Sequence, residues 1–364
     1  VIPPSGGDSV AFQVDVAHTG NQPASTLTPP LTRVWSKDLG GGVSYPLIAD
    51  GRVFVTVANA NGAGSTLRAL DLAAGSSLWG PIDLGGDLPW SNAAYDGGKV
   101  YVITSSGLLT AFDAASGATV WARQLPGQYS FTSPPTAAGG MVFVGGSGVG
   151  GTLYGVDGQA GSVLWTAEVL NGDTSSPALS DDAVFVSYAC VMAYAFSRTT
   201  GTQLWQHLGP CEGGGGATPA LFQGQLWARD LPTGNLVLDA TNGMEVAPFS
   251  ATFIPAFSGH AGFFLVETGL QALDTATRTV LWTFAGDGAL DSAPLVVNGT
   301  VYVGSSNGAL YGLDPTTGAT RWSDTLPWAV TAGGESGLVQ PTAGMGAGNN
   351  ALVVPAGTHL VCYR

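Results

Sequence analysis

The chain has 364 residues, 45% of them apolar and only 10% charged, with 55 Gly and 22 Pro. Its net charge of −14 repels phosphate backbones and anionic lipid surfaces, which argues against nucleic-acid binding and against docking on acidic membranes. No apolar run approaches the roughly 20 residues of a membrane span, and so many turn-forming residues with so few charged helix faces point to an all-β protein.

The opening VIPPSGGDSV lacks the basic and apolar regions of a signal peptide, so for an exported protein that peptide has already been removed. VAFQVDVAHTG reads as one added strand and a turn, and the polar, Pro-rich NQPASTLTPP as an extended strap over the surface. Residues 1–30 are therefore expected to form an N-terminal arm, and residues 31–364 the folded domain. That domain opens on LTRVWSKDLGG, which places Trp35 on an outer strand with no partner strands before it.

From Ser44 onward a four-strand unit recurs. A short stretch containing Pro comes first, as in SYPLIAD at Ser44 or SAPLVV at Ser292. A β-branched and aromatic run follows a tight turn, as in GRVFVTV at Gly51 or GTVYVGS at Gly299. The third run has the form Leu-x-Ala-x-Asp, with Gly in place of Ala in two copies, and the fourth carries a Trp eight residues after the Asp. In most copies a Gly stands four residues after the Asp. The Asp positions are Asp71, Asp113, Asp157, Ser197, Asp239, Asp274 and Asp314, at steps of 35 to 44 residues. The Trp series runs Trp35, Trp79, Trp121, Trp165, Trp205, Ala247, Trp282 and Trp322. A fixed period of this size means radial or stacked units, and four short strands per unit suit the blade of a propeller.

The predicted fold is an eight-bladed β-propeller of antiparallel four-stranded sheets with almost no helix. In each blade the Asp carboxylate should accept backbone N–H bonds across the hairpin, and the Trp should lie between blades with its N–H on a backbone carbonyl. The last blade has its second strand at Ala351 and its third at Leu360, and the Trp35 strand should close it. At Ala247, where Pro248 follows at once, a short or irregular outer strand is expected, with Phe249 or Phe253 filling part of the Trp space.

The Ala-x-Asp-x-x-x-Gly-x-x-x-Trp phrase resembles the repeat of the pyrroloquinoline-quinone-like propellers, and His18-Thr19-Gly20 is similar to the opening of many such chains. The resemblance implies the fold over nearly the whole sequence. It leaves function open, because the superfamily holds quinone-dependent alcohol and sugar dehydrogenases, non-catalytic scaffolds such as the eight-bladed lipoprotein of the outer-membrane assembly machine, and many exported proteins of unassigned role. The alcohol dehydrogenases of that superfamily hold the quinone between a Trp floor and two adjacent cysteines, with a calcium ion on Glu, Asn and Asp. Here Cys190, Cys211 and Cys362 are all apart in sequence. No two of the four histidines stand at metal-ligand spacing, and no phosphate loop appears. A non-enzyme without cofactor is expected, with quinone-dependent dehydrogenase as the alternative.

Any binding site should lie on the face formed by the connections from second to third strand and from fourth strand to the next blade. Those loops carry Trp90, Tyr129, Asp173, Asp287, Asp291, Trp328 and Glu335. Aromatics beside carboxylates can stack sugars, hold a peptide or coordinate a cation such as calcium; equally, Trp90 and Trp328 can cap the apolar ends of their blades. The expected partner is a protein or a glycan, and the expected location is outside the cytosol: extracellular, at the cell surface or periplasmic. A second reading is an extracellular subunit that assembles with copies of itself into a fibre or surface layer through its unpaired arm. Cys190 and Cys211 leave the same blade on the same face, so a disulfide between them is expected, with Cys362 a buried free thiol. Asn298-Gly299-Thr300 fits a glycosylation acceptor, but a two-residue hairpin turn is the preferred reading. Asp181-Asp182 is likewise expected to be a hairpin turn.

Overall fold

The computed structural model describes residues 7–170, 172, 174–209, 215–230, 234–335 and 337–364. Eight four-stranded antiparallel sheets follow one another around a ring. We number the blades 1 (47–83), 2 (91–124), 3 (136–168), 4 (178–207), 5 (217–249), 6 (256–284), 7 (295–325) and 8 (346–363 together with 33–38). Among the described residues helix is confined to single 3-10 turns such as Ala189–Val191. The ring closes as the Trp series requires. Strand Arg33–Asp38 pairs antiparallel with His359–Tyr363, Trp35 opposite Cys362, so the outer strand of blade 8 comes from the start of the chain.

Wherever the repeat Asp and Trp are present they do the same work. Each Asp side chain accepts from the backbone two or three residues on, as Asp71 does from Ala73 at 3.0 Å and Ala74 at 2.7 Å. Each indole N–H donates to a carbonyl of the next blade: Trp35 to Leu72, Trp79 to Ala114, Trp121 to Gly158, Trp165 to Arg198, Trp205 to Ala240, Trp282 to Pro315 and Trp322 to Leu31. The Gly after the Asp is needed for close approach as well as for the turn. A Cβ on Gly161 would lie 2.6 Å from the Trp121 ring.

The sixth copy departs from expectation. Strand Glu245–Phe249 passes through Pro248 in the same register, and with the same bulge before position 247, as the Trp-bearing strands. An outermost strand has a neighbour on one side only, so Pro is accommodated where its missing N–H faces outward. Phe249 packs on Trp227 at 5.1 Å, but the vacant Trp slot is taken by a cation. Arg278 stands where the next blade's Gly belongs, with its guanidinium 4.7 Å over the Trp227 ring. The loss of Trp and the loss of Gly are thus one compensated change. Asn298 (φ +45°) and Gly299 (φ +67°) form the two-residue hairpin between Leu295–Val297 and Thr300–Gly304, and Asp181-Asp182 turns between Ala178–Leu179 and Ala183–Tyr188.

The arm is not a surface strap over its first part. Residues 7–22 are almost wholly buried on the ring axis. They bond the innermost strands of seven blades: Gly7 to Asn349, Ser9 to Ile48, Val10 to Tyr95, Val16 to Leu179, Ala17 to Leu221, Thr19 to Phe257 and Gly20 to Val296. Asn21–Gln22 adds a fifth, parallel strand to blade 7. Innermost strands expose an unpaired edge toward the axis, and this segment satisfies it. The turn is built by Asp15, which accepts from the backbone of Ala17 and Thr19 and from the Thr19 hydroxyl. His18, fully buried, sits with Nδ1 2.8 Å from the Phe12 carbonyl and Nε2 3.1 Å from that of Pro177. Only residues 23–30 run along the surface, anchored over blades 7 and 8 by Leu27 and by Thr26 N–H on Asn350.

Candidate functional site

The two faces differ. One carries the hairpins between first and second and between third and fourth strands, and residues 7–22 stopper the axis there. The other is the loop face, where the long connection 326–345 between blades 7 and 8 turns inward. Its Glu335 reaches blade 5 and is buried. The carboxylate takes Arg229 Nη1 at 2.6 Å on one oxygen and the Thr218 N–H at 2.6 Å on the other. Thr342 of the same connection accepts from Tyr45 N–H at 2.9 Å and from the Asn92 amide at 3.2 Å. Glu335 is therefore a structural latch rather than a surface ligand group.

The other loop-face candidates scatter. Trp90 is fully buried among Phe131, Tyr154 and Leu109, so it caps the interior of its blade and presents nothing to solvent. Trp328 is half-buried and stacks on His359, with ring centroids 3.6 Å apart. Asp287 folds back as a turn cap, taking Ser305 Oγ at 2.6 Å and Ala289 N–H at 3.1 Å. Asp291 is half-buried, and burial pushes its carboxyl above the usual range. Asp173 lies outside the described residues, as does Cys211. Among the described residues no group of three or more His, Cys, Asp or Glu is placed to hold a metal ion.

Tyr129 is the exception. It is 70% exposed and lies flat over Gly148, where a Cβ would come within 2.5 Å of the ring. It stands beside a groove of about 660 Å³ between blades 3 and 4, lined by Gln128, Val149, Glu168, Leu170, Tyr194 and Gln206. Val149 and Leu170 are 67% and 55% exposed. Sequence reasoning missed both. The signal for Val149 was a lone apolar residue inside GGSGVGG, a turn too rich in Gly to bury it.

A family profile described as outer membrane protein assembly factor BamB matches residues 63–212 and again 193–363. The outer membrane protein assembly factor BamB of Yersinia pestis is 25% identical over 242 residues, 63% of this chain and 55% of that protein. The 1-butanol dehydrogenase (cytochrome c) of Thauera butanivorans is 32% identical over 174 residues, 42% of this chain and 24% of that one. The chain thus spans little more than half the length of the curated BamB relatives it matches. Among solved structures, BamB from Moraxella catarrhalis superposes with a TM-score of 0.68 at 20% identity, covering 92% of this chain and 99% of that one. The quinohemoprotein alcohol dehydrogenase of Comamonas testosteroni gives 0.75 at 14% identity, covering 99% and 81%. These structural likenesses carry the fold alone. With its profile matched from residue 63 to residue 363, the chain belongs to the BamB-type family of quinoprotein-like repeat propellers.

Proposed function

We propose that this chain is an exported, non-catalytic binding propeller that holds a protein partner on its loop face, at the groove beside Tyr129. The observation that carries this reading is the contrast on that face. The axis is filled by the chain's own residues, latched by Glu335 and Arg229, whereas the groove between blades 3 and 4 is open and flanked by exposed Tyr129, Val149 and Leu170. Exposed aromatic and aliphatic side chains around a groove are what an anchored protein contact uses. Kinship to proteins named for outer-membrane assembly supports the same class.

The dehydrogenase alternative draws on the butanol dehydrogenase likeness. The residues present do not fit the quinone. Cys190 in blade 4 and Cys362 in blade 8 are remote from one another, and segment 326–345 occupies the axis at the loop face. The arm, taken up inside the ring, no longer supports assembly into fibres.

Affinity-tagged protein recovered from its native host after crosslinking is the test. A partner captured by the wild type and lost with Tyr129→Ala/Leu170→Ala supports the groove. Equal capture by both overturns it. Dye reduction with added pyrroloquinoline quinone, calcium and primary alcohols would overturn the non-catalytic reading.

A further inference from the structure

The boundaries between blades form a series of slots, each walled by the first residue of a second strand and by the residue after the next blade's repeat Asp. Arginines of this chain lie at the two neighbouring boundaries, Arg198 at the wall position itself and Arg278 four residues after Asp274, in the vacant Trp slot. Between blades 3 and 4, Arg198 lies over the Phe143 ring at 5.9 Å and donates to the Ala138 carbonyl, with Met141 on the opposite wall. Between blades 5 and 6, Arg278 lies over Trp227 at 4.7 Å and donates to Gln225 at 3.1 Å. Between blades 4 and 5, both wall positions are small, Ala183 and Ala240. The aromatic remains: Phe185 stands where Phe143 and Trp227 stand. What results is a cleft of about 400 Å³. A carboxylate stands at its mouth, because Asp182 replaces the Gly140 of blade 3, and Ser180 Oγ holds its Oδ1 at 2.8 Å.

We propose that the cleft between blades 4 and 5 binds a small organic cation bearing a guanidinium group, held against the edges of Phe185 and Trp205 that line it and paired with Asp182. Arg198 shows the chemistry that the equivalent slot accepts, a guanidinium over the second-strand aromatic. The volume suits a small molecule, the carboxylate supplies a bidentate acceptor for the guanidinium fork, and a protein of net charge −14 draws cations toward it. The cleft opens on the hairpin face, so the proposal is independent of the loop-face groove.

Calorimetric titration with agmatine tests it. Saturable 1:1 binding is expected, with Kd on the order of 100 µM. Ala240→Arg, which fills the slot with the protein's own guanidinium as Arg198 does next door, should abolish binding. Asp182→Asn should weaken it about tenfold, the loss of one charge-assisted pair. Butylurea, neutral and similar in shape, should not bind. No saturable heat with agmatine overturns the proposal, as does butylurea binding equally well. An unchanged affinity in Asp182→Asn overturns it too, and that arm stands even where Ala240→Arg folds poorly. A blocked Gly-Arg-Gly peptide binding more tightly than agmatine overturns the small-molecule source.

Discussion

At the scale of single residues, the repeat grammar explains both the regular copies and the exception. A Trp needs a Gly beneath it, so the pair must change together. Ala247→Trp alone should clash with the Arg278 guanidinium and cost about 1–3 kcal/mol by overpacking. Arg278→Gly alone should lose the stack on Trp227 and leave a hole. The double substitution restores the common pair, and thermal melts should place it above either single change, with a coupling of at least about 1 kcal/mol; additive effects would show that the two sites do not share the slot. The same turns set the acid limit. Thr317 N–H leads the bonds that hold Asp314 at about 2, and hydrogen bonds likewise hold Asp113, Asp239 and Asp274 below the usual range. A depressed carboxylate stabilises the fold above its unfolded pKa and loses that contribution as pH falls through the folded one. Buried His18, its pKa pushed down by desolvation, adds to the loss below its usual 6.5, and Asp15, pushed up by burial, opposes it. Melting temperature should therefore drop between pH 4 and pH 2, most steeply midway between the ordinary Asp value of 3.8 and the folded Asp314 value of about 2. A flat profile there would remove the turn carboxylates from the account of stability.

At the scale of elements, periodicity carried most of the legible information. Hydrophobic alternation and the Asp-to-Trp spacing located the four-strand blades, and the orphan Trp35 strand implied the closure that Arg33–Asp38 makes with His359–Tyr363. Pro248 misled because Pro was weighed as though in a central strand, while the repeat itself places that position on an edge. Residues 7–22 misled for a different reason. Their pairing is with seven blades distant in sequence, and no local pattern encodes it. The cysteines belong at this scale too. Cys362 lies inside the closing sheet as a buried free thiol, pushed up to about 12 by burial. Cys190 sits in the turn between the second and third strands of blade 4, its N–H held by Asp230 at 2.8 Å. A bond from Cys190 to Cys211 would tie that turn to the connection leaving the same blade and contribute roughly 3 kcal/mol. Thiol titration of denatured, unreduced protein should find one reactive group; three would remove the disulfide and its support for an oxidising compartment.

At the scale of the whole molecule, the ring is stoppered from both ends, and that decides where a ligand can enter. Residues 7–22 close the hairpin face, and segment 326–345 closes the loop face through a buried ion pair. The sequence showed Glu335 as one carboxylate in a long variable loop; its partner Arg229 lies 106 positions away, so only the closed ring reveals the pair. With the axis filled, two open volumes among the described residues lie between blades, toward the rim, one beside Tyr129 on one face and one beside Asp182 on the other. The latch also makes a sharp energetic claim. Removing one member of a buried pair strands the other charge, so Glu335→Gln or Arg229→Met should each cost about 3–5 kcal/mol. Replacing both by apolar residues of similar volume, Glu335→Leu with Arg229→Met, should be far milder, because the desolvation of two charges no longer opposes folding. Hydrogen exchange should report the same order, with the backbone N–H of Tyr45, which bonds the Thr342 carbonyl of this segment, losing protection in the single variants and largely regaining it in the double. Protection unchanged in Glu335→Gln would mean that packing alone, and not the ion pair, keeps the loop face of the axis shut.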